Sequence, residues 1–343
     1  MKALVLDRID HISLQEMEKP HITQPGDAIV KIALTTIYGS DLHLIHGHMK
    51  SNPPYVLGHE MVGVVESVGE GVTKIKPGDR VACPPGTHCG FCENCKKGWY
   101  AHCLNGGPMG SGLATGGTHA EYILIPYADE NLVPIPETVT NEQALLATDI
   151  FATGYTAVKD CELKPGGTIV IIGPGPVALA AVIAAKLFNP GKIIIAGRTQ
   201  ERLDKALELG AHDAINTRKE DMVARVMELT GGRGADGVVE TASAQKTLED
   251  GLRCLGVHGI LSMVGIPGDA LSVPFPEVFM KNLTIRFGLA DLSMNEHILQ
   301  LIEEGKIDLT PLITHYFPLE EIETAIDMFE NKKDGSIKIA IRP

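Results

Sequence analysis

From residue 168 onward the chain alternates short apolar runs with helical stretches, and this rhythm narrows the choice of folds more than any other feature. The runs at 168–172, 192–196, 237–240 and 260–264 read as strands, separated by helical stretches such as 177–188 and 200–209. Such alternation predicts a parallel sheet with helices on both faces. The first run leads straight into Gly173, Gly175 and Ala178, a G-x-G-x-x-A turn that opens a helix. The first glycine permits a tight turn, the second lets the backbone approach a pyrophosphate, and the third position must be small for helix and strand to pack. A glycine-rich turn alone is a weak signal. In this strand-turn-helix setting it reads as a dinucleotide fingerprint, and Pro176, Val177, Thr241 and Val264 join Gly173 and Gly175 as expected cofactor-binding positions.

The end of the second strand identifies which dinucleotide to expect. It reads Ala196-Gly197-Arg198-Thr199, without the carboxylate that would bind the ribose 2'-hydroxyl of NAD. Arg198 can pair with a 2'-phosphate, Gly197 leaves room for it and Thr199 can donate a hydrogen bond. NADP(H) is therefore expected in preference to NAD. The plainer reading of Arg198, a solvated loop cation, fits its place just after the strand less well.

The first 149 residues have another texture, with short β-branched runs at 28–34, 63–68 and 121–125 broken by Gly and Pro. That predicts a mainly β domain. The last fifty residues are mixed, with helices expected at 295–304 and 319–331. A length of 343 residues favours two domains. The net charge of −13 repels phosphate backbones and anionic membrane surfaces, so neither nucleic acid nor membrane is an expected partner. No run approaches the roughly 20 apolar residues that span a bilayer, and the first ten residues do not resemble a signal peptide, so a cytoplasmic protein is expected.

Four of the seven cysteines, Cys89, Cys92, Cys95 and Cys103, fall within fifteen residues as C-x2-C-x2-C-x7-C. Four thiolates on one loop can close a tetrahedron around zinc with no open position, so this reads as a structural zinc site. Cys83, Cys161 and Cys254 are scattered and read as ordinary small apolar residues.

Several stretches resemble the zinc-containing medium-chain dehydrogenases and reductases, in particular the NADP-dependent secondary-alcohol dehydrogenases. They are Tyr38-Gly39-Ser40-Asp41-Leu42-His43, Gly58-His59-Glu60 with Gly63, the cysteine lobe, Asp149 with Thr153-Gly154, and the dinucleotide turn. The resemblance implies an α/β protein with a GroES-like, mainly β catalytic domain from residues 1–152 and 291–343, carrying a zinc lobe at about 84–108. A doubly wound Rossmann domain would occupy 153–290, and the assembly would be a homotetramer. It also implies site roles. His59 corresponds to the histidine ligand of a catalytic zinc, Glu60 to the adjacent carboxylate that ligates transiently, and Asp149 to a carboxylate third ligand. Ser40 corresponds to the hydroxyl that touches the substrate oxygen, and His43 to a member of a proton relay. In that chemistry zinc lowers the pKa of a bound alcohol and stabilises the alkoxide that precedes hydride departure.

One position departs from the pattern, because Tyr38 stands where the resemblance implies a cysteine ligand. A phenol has a pKa near 10 and must lose its proton to bind metal well. Three readings stay open. The catalytic zinc is weakened or lost and the phenol fills its space while donating a proton or hydrogen bond, or Tyr38 is a single native or introduced substitution and zinc still binds, or a neighbouring residue ligates instead. The expected function is NADP(H)-dependent interconversion of an alcohol, preferentially a secondary one, with its ketone or aldehyde. Alternatives are a zinc-independent reductase of an activated C=C or C=N bond and a non-catalytic nicotinamide-binding protein.

Overall fold

A computed structural model describes residues 1–112 and 116–343. The chain forms two compact units, one from Met1–Ala152 with Asp291–Pro343 and one from Thr153–Ala290.

The first unit is built round the strand Ala28–Thr36, whose AIVKIALTT sequence is buried at seven of nine positions. This strand pairs antiparallel with Met61–Val68 on one side. On the other side its first half pairs with Tyr122–Ile125 and its last residues with Lys338–Arg342. The full sheet runs Val133–Pro134, Arg80–Cys83, Met61–Val68, Ala28–Thr36, Lys338–Arg342, Ile313–Pro318. Two register shifts between Ala28–Thr36 and Met61–Val68 mark bulges, which bend a strand and increase its twist. A smaller sheet joins Lys2–Arg8, His11–Glu16 and Tyr55–Val56.

Register explains where the site lies. Met61 sits opposite Thr35 and Ala340 opposite Thr36. Continuing both pairings by two residues brings His59, Glu60 and Lys338 to the chain at Ile37 and Tyr38. The sheet therefore gathers residues from both ends of the sequence at one strand terminus.

The second unit carries six parallel strands in the order Asp213–Asn216, Lys192–Gly197, Thr168–Ile172, Ala235–Glu240, Leu255–Met263, Thr284–Phe287. Numbered along the chain this is 3-2-1-4-5-6, the Rossmann order. The three central strands are buried on both faces, which is why they read as continuous Ile and Val runs. Helix Pro176–Ala185 is apolar all round and buried from Ala178 to Ala185. Helix Ile150–Asp160 approaches it so closely that a Cβ on Gly154 would lie 2.8 Å from the Ala181 nitrogen.

The expected strands and helices are present, with shifted ends. The strand expected at 260–264 spans Leu255–Met263, with His258 at φ +59. The helix expected at 177–188 runs over Pro176–Ala185 and tightens to a 3-10 turn at Lys186–Phe188. Strands Asp213–Asn216 and Thr284–Phe287, at the two edges of the sheet, carry no long apolar run and were not read from sequence. Among the described residues, no helix is long and apolar enough to cross a membrane.

Candidate active site, cofactor turn and metal centre

The start of helix Gly39–Ile45 is held by Asp41, whose Oδ2 accepts from the Tyr38 backbone N–H at 2.8 Å. Asp41 is fully buried. Its Oδ1 lies 3.4 Å from His59 Nδ1, and its Oδ2 lies 3.4 Å from His119 Nε2. His119 is oriented from behind by the Thr35 hydroxyl, 3.1 Å from Nδ1. The other face of His59 meets Asp149, with Nε2 3.3 Å from Oδ2. The Tyr38 ring stands edge-on to the His59 ring at 5.0 Å.

Two buried carboxylates against one imidazole set the charge state. Burial opposes a charged His59, but Asp41 and Asp149 outweigh it and hold the imidazole up to about 10. Burial would also raise the Asp41 carboxyl, yet His59 and His119 keep it well below the ordinary carboxylate range. Glu60 is different. Burial and the Asp149 charge push it up to about 7 despite Lys338 and His59.

Lys338 is buried to 1% exposure, which lysine seldom is without partners. Its Nζ donates to Glu60 Oε2 and, at 2.9 Å, to the Ile37 carbonyl. The same ammonium sits 4.8 Å from the centre of the Tyr38 ring, within cation–π range. The other Glu60 oxygen accepts from the Ile150 N–H at 3.3 Å.

Tyr38, His59, Glu60 and Asp149 are thus brought together. Ser40 and His43 lie on helix Gly39–Ile45 three residues apart, hence on one face. The His43 ring faces His48 at 5.7 Å. Asp41, His119 and Lys338 belong to the same cluster and were missed from sequence. Asp41 lay inside a quoted motif, whereas nothing local marks His119 or Lys338.

The donors at Tyr38 fall short of a catalytic zinc site. Zinc–nitrogen and zinc–oxygen bonds near 2.1 Å place tetrahedral ligands about 3.4 Å apart, which His59 Nε2 and Asp149 Oδ2 satisfy. A catalytic zinc takes three protein ligands, however, and Glu60 is bound to Lys338 and the Ile150 amide. Two donors remain, one short of the ligand set of a catalytic zinc.

The cysteine lobe fits zinc well. The sulfurs of Cys89, Cys92, Cys95 and Cys103 all lie within 4.8 Å of one another, and among the described residues no other group of three or more His, Cys, Asp or Glu side chains converges in this way. Pairs at 3.4, 3.9 and 4.0 Å bracket the ~3.8 Å sulfur separation of a tetrahedron with Zn–S bonds near 2.3 Å. Backbone N–H groups of Cys89 and Asn105 point at Cys103 Sγ at 3.2 and 3.4 Å, the stabilisation a thiolate needs. The backbone amides of Leu104 and Cys95 bring the Cys92 thiol down to about 6. Cys83, Cys161 and Cys254 are buried apart from this lobe, and burial raises their thiols.

In the second unit, Gly173 adopts φ +90, and a Cβ there would meet Ala242 at 2.9 Å. At Gly175 a Cβ would have only the Gly173 carbonyl oxygen, at 3.9 Å, for company, so room is left before the start of helix Pro176–Ala185, where Pro176 and Val177 lie. Free N–H groups at a helix start suit a pyrophosphate. The Thr241 hydroxyl donates to the carbonyls of Ile172 and Gly173, both at 2.9 Å, and so locks the turn. The Val264 N–H donates to the Glu240 carbonyl at 3.1 Å.

Gly197 has a reason the sequence did not disclose. A Cβ there would lie 2.0 Å from Pro174 Cδ, so the dinucleotide turn itself demands glycine. Beyond it opens a hollow of about 310 Å³ lined by Arg198, Thr199, Gln200, Glu201, Asn216, Arg218 and Lys219. Arg218 and Lys219, which follow strand Asp213–Asn216, are further residues missed from sequence. Gln200 Oε1 accepts from Asn216 and Lys219 at 2.9 and 3.3 Å, tying the two loops together. A carboxylate, Glu201, does line this hollow, against three cations.

Residues 24–137 match the alcohol dehydrogenase GroES-like domain, and residues 176–303 match the zinc-binding dehydrogenase family. An alcohol dehydrogenase of Cupriavidus necator is 34% identical over all of this chain and 99% of its own length. Among solved structures, an alcohol dehydrogenase of Thermus sp. ATN1 superposes with a TM-score of 0.94 at 36% identity, covering 100% of this chain and 99% of that one. A zinc-dependent alcohol dehydrogenase of Streptococcus pneumonia does so with the same score and identity, over 100% and 98%. The chain belongs to the zinc-type alcohol dehydrogenases of the medium-chain dehydrogenase and reductase family.

Proposed function

We propose that this chain is an NADP(H)-dependent oxidoreductase that interconverts an alcohol, preferentially a secondary one, and its ketone or aldehyde, with a catalytic zinc site weakened or emptied by Tyr38. The observation that carries this reading is the cluster of half-buried Tyr38 with buried His59 and Asp149 in a chain that also bears a dinucleotide turn. In the reductive direction, bound NADPH would supply the hydride for the carbonyl carbon while the carbonyl oxygen takes a proton, for an overall balance of carbonyl, NADPH and H+ giving alcohol and NADP+. The Ser40 hydroxyl hydrogen-bonds that oxygen. His59, kept protonated by Asp41 and Asp149, supplies fixed positive charge beside it, and His43 passes the proton on from solvent. The preference for NADP(H) is supported by Arg198, Arg218 and Lys219 round one hollow.

The test is NADPH consumption with a broad panel of ketones and aldehydes. Turnover is expected, and silence across the panel, with or without added zinc, would sink the reading. Metal content measured by mass spectrometry should be about one zinc ion per chain, held by the cysteine lobe, where an occupied catalytic site would give about two.

The Lys338 ammonium near the Tyr38 ring supports a second reading, a reductase of activated C=C or C=N bonds with the phenol as proton donor. Under it Tyr38→Cys raises zinc content and impairs the native reaction. Improvement of that reaction would count against it. A homotetramer in the cytoplasm completes the proposal. Clustered cysteines that are metal ligands and form no disulfide suit a reducing compartment, and the exposed apolar edge of the six-stranded sheet suits assembly.

A further inference from the structure

His119 takes no direct part in the proposed reaction, yet its ring is fully buried with both nitrogens engaged. Its backbone is fastened on two sides. The His119 N–H donates to the Leu57 carbonyl at 2.9 Å, and the His119 carbonyl accepts from the Leu4 N–H at 2.8 Å. The ring is fixed as firmly. Thr35 Oγ1 lies 3.1 Å from Nδ1 and 3.0 Å from the Thr118 hydroxyl, which donates to the Glu60 carbonyl at 3.2 Å. Gly58 packs against the same ring, because a Cβ there would stand 2.6 Å from His119 Nδ1. At φ +93 Gly58 is also left-handed, so the residue before His59 turns where glycine alone fits.

From that fixed ring, Nε2 faces the Asp41 carboxylate, which only accepts, and donates to Oδ2 at 3.4 Å. The Tyr38 N–H donates to the same oxygen at 2.8 Å. Two donors from separate segments hold the carboxylate in one orientation, where a single donor would let it turn about that bond. Oδ1 is thereby left for His59 Nδ1, 3.4 Å away, and the other edge of the His59 ring for Asp149. We propose that His119 is a positioning residue: by fixing Asp41 and packing on Gly58 it aims the His59 ring. An imidazole takes its orientation from the partner its second nitrogen binds, and His119 decides where that partner points. The role rests on the reading under "Proposed function", in which His59 lies beside the substrate oxygen.

The test uses the full chain with zinc in its cysteine lobe. His119→Phe fills the space without a donor, and His119→Gln keeps an N–H near the place of Nε2. In nuclear magnetic resonance of 15N-histidine-labelled protein, the Nδ1 proton of His59, assigned by its loss in His59→Gln, should give a low-field signal in the parent chain. His119→Gln should keep that signal, and in His119→Phe it should move upfield or exchange away. In His119→Phe, kcat for ketone reduction should fall about 10- to 100-fold, the cost of a group displaced by about 1 Å, with KM for NADPH unchanged. His119→Gln should recover it. Thr35→Val removes the hydroxyl behind the ring, should shift the His59 signal in the same direction, and decides the outcome if His119→Phe does not fold. An unmoved signal in the deciding variant overturns the proposal, as does an equal loss in His119→Gln. A purely structural role would destabilise both His119 variants without separating them at His59. Because the signal is read without substrate, a parent chain that turns over no ketone would count against the proposed reaction and leave this result standing.

Discussion

A single carboxylate, Asp41, joins the start of helix Gly39–Ile45 to His59 and, through His119, to Thr35. Asp41→Asn keeps the shape and removes the charge. A buried ion pair broken on one side costs about 3–5 kcal/mol, and that is the loss expected in denaturant unfolding. The pH dependence follows from the two shifts. The Asp41 carboxyl is depressed in the folded chain, so its contribution is present above the unfolded value near 4 and lost as the pH falls. His59 is raised, so its contribution is complete below about 6.5 and lost as the pH rises towards about 10. Stability of the parent chain should fall across that alkaline window, and Asp41→Asn should flatten the fall. At the cofactor turn, Arg198→Ala and Arg218→Ala should each raise the KM for NADPH by about 10- to 100-fold, the ~1.5–3 kcal/mol of a charged hydrogen bond. The KM for NADH should not change. Equal effects on both cofactors would mean that the hollow does not read a 2'-phosphate.

Among the elements, the cysteine lobe shows how little regular structure a metal site requires. Helix Glu93–Lys96 and the turn Tyr100–His102 are each about one turn long, too short to hold themselves together. The four sulfurs do the work of a core, so Cys95→Ser should lower zinc content from about one ion per chain to none and open residues 84–108 to limited proteolysis. Unchanged zinc content would refute the assignment. The lobe was readable because its spacing is local. The central strands of the parallel sheet were readable for a different reason: burial on both faces writes itself as unbroken Ile and Val, as in Thr168–Ile172 and Lys192–Gly197. Thr284–Phe287 was not readable, since an edge strand needs an apolar residue on one side only.

That same edge bears on the whole molecule. Among the described residues, Thr284–Phe287 pairs with Leu255–Met263 on one side alone. Near it Phe287 is 82% exposed, Phe279 74% and Met280 84%. An unpaired edge beside such a patch invites a second copy, and a two-fold axis can pair the strand with itself. Phe287→Asp should reduce the assembly to a smaller species in sedimentation velocity while leaving the fold intact, because the position is open to solvent. A monomeric parent chain would remove the basis for this.

What the sequence by itself determined are the features that physics keeps local: the dinucleotide turn, the thiol spacing, the buried strands, and His59 beside Glu60. Tertiary structure alone decided who faces them. Glu60 finds Lys338 across 278 residues because antiparallel register carries the C-terminal strand to Tyr38. Gly197 is required by Pro174, and Arg218 joins Arg198 because two parallel strands end side by side. Charge state follows the same division. A lone histidine at position 59 is an ordinary imidazole, and two carboxylates brought in by the fold make it a cation. Spacing along a chain encodes bonds within a turn, whereas burial and long-range pairing set the field in which those groups act.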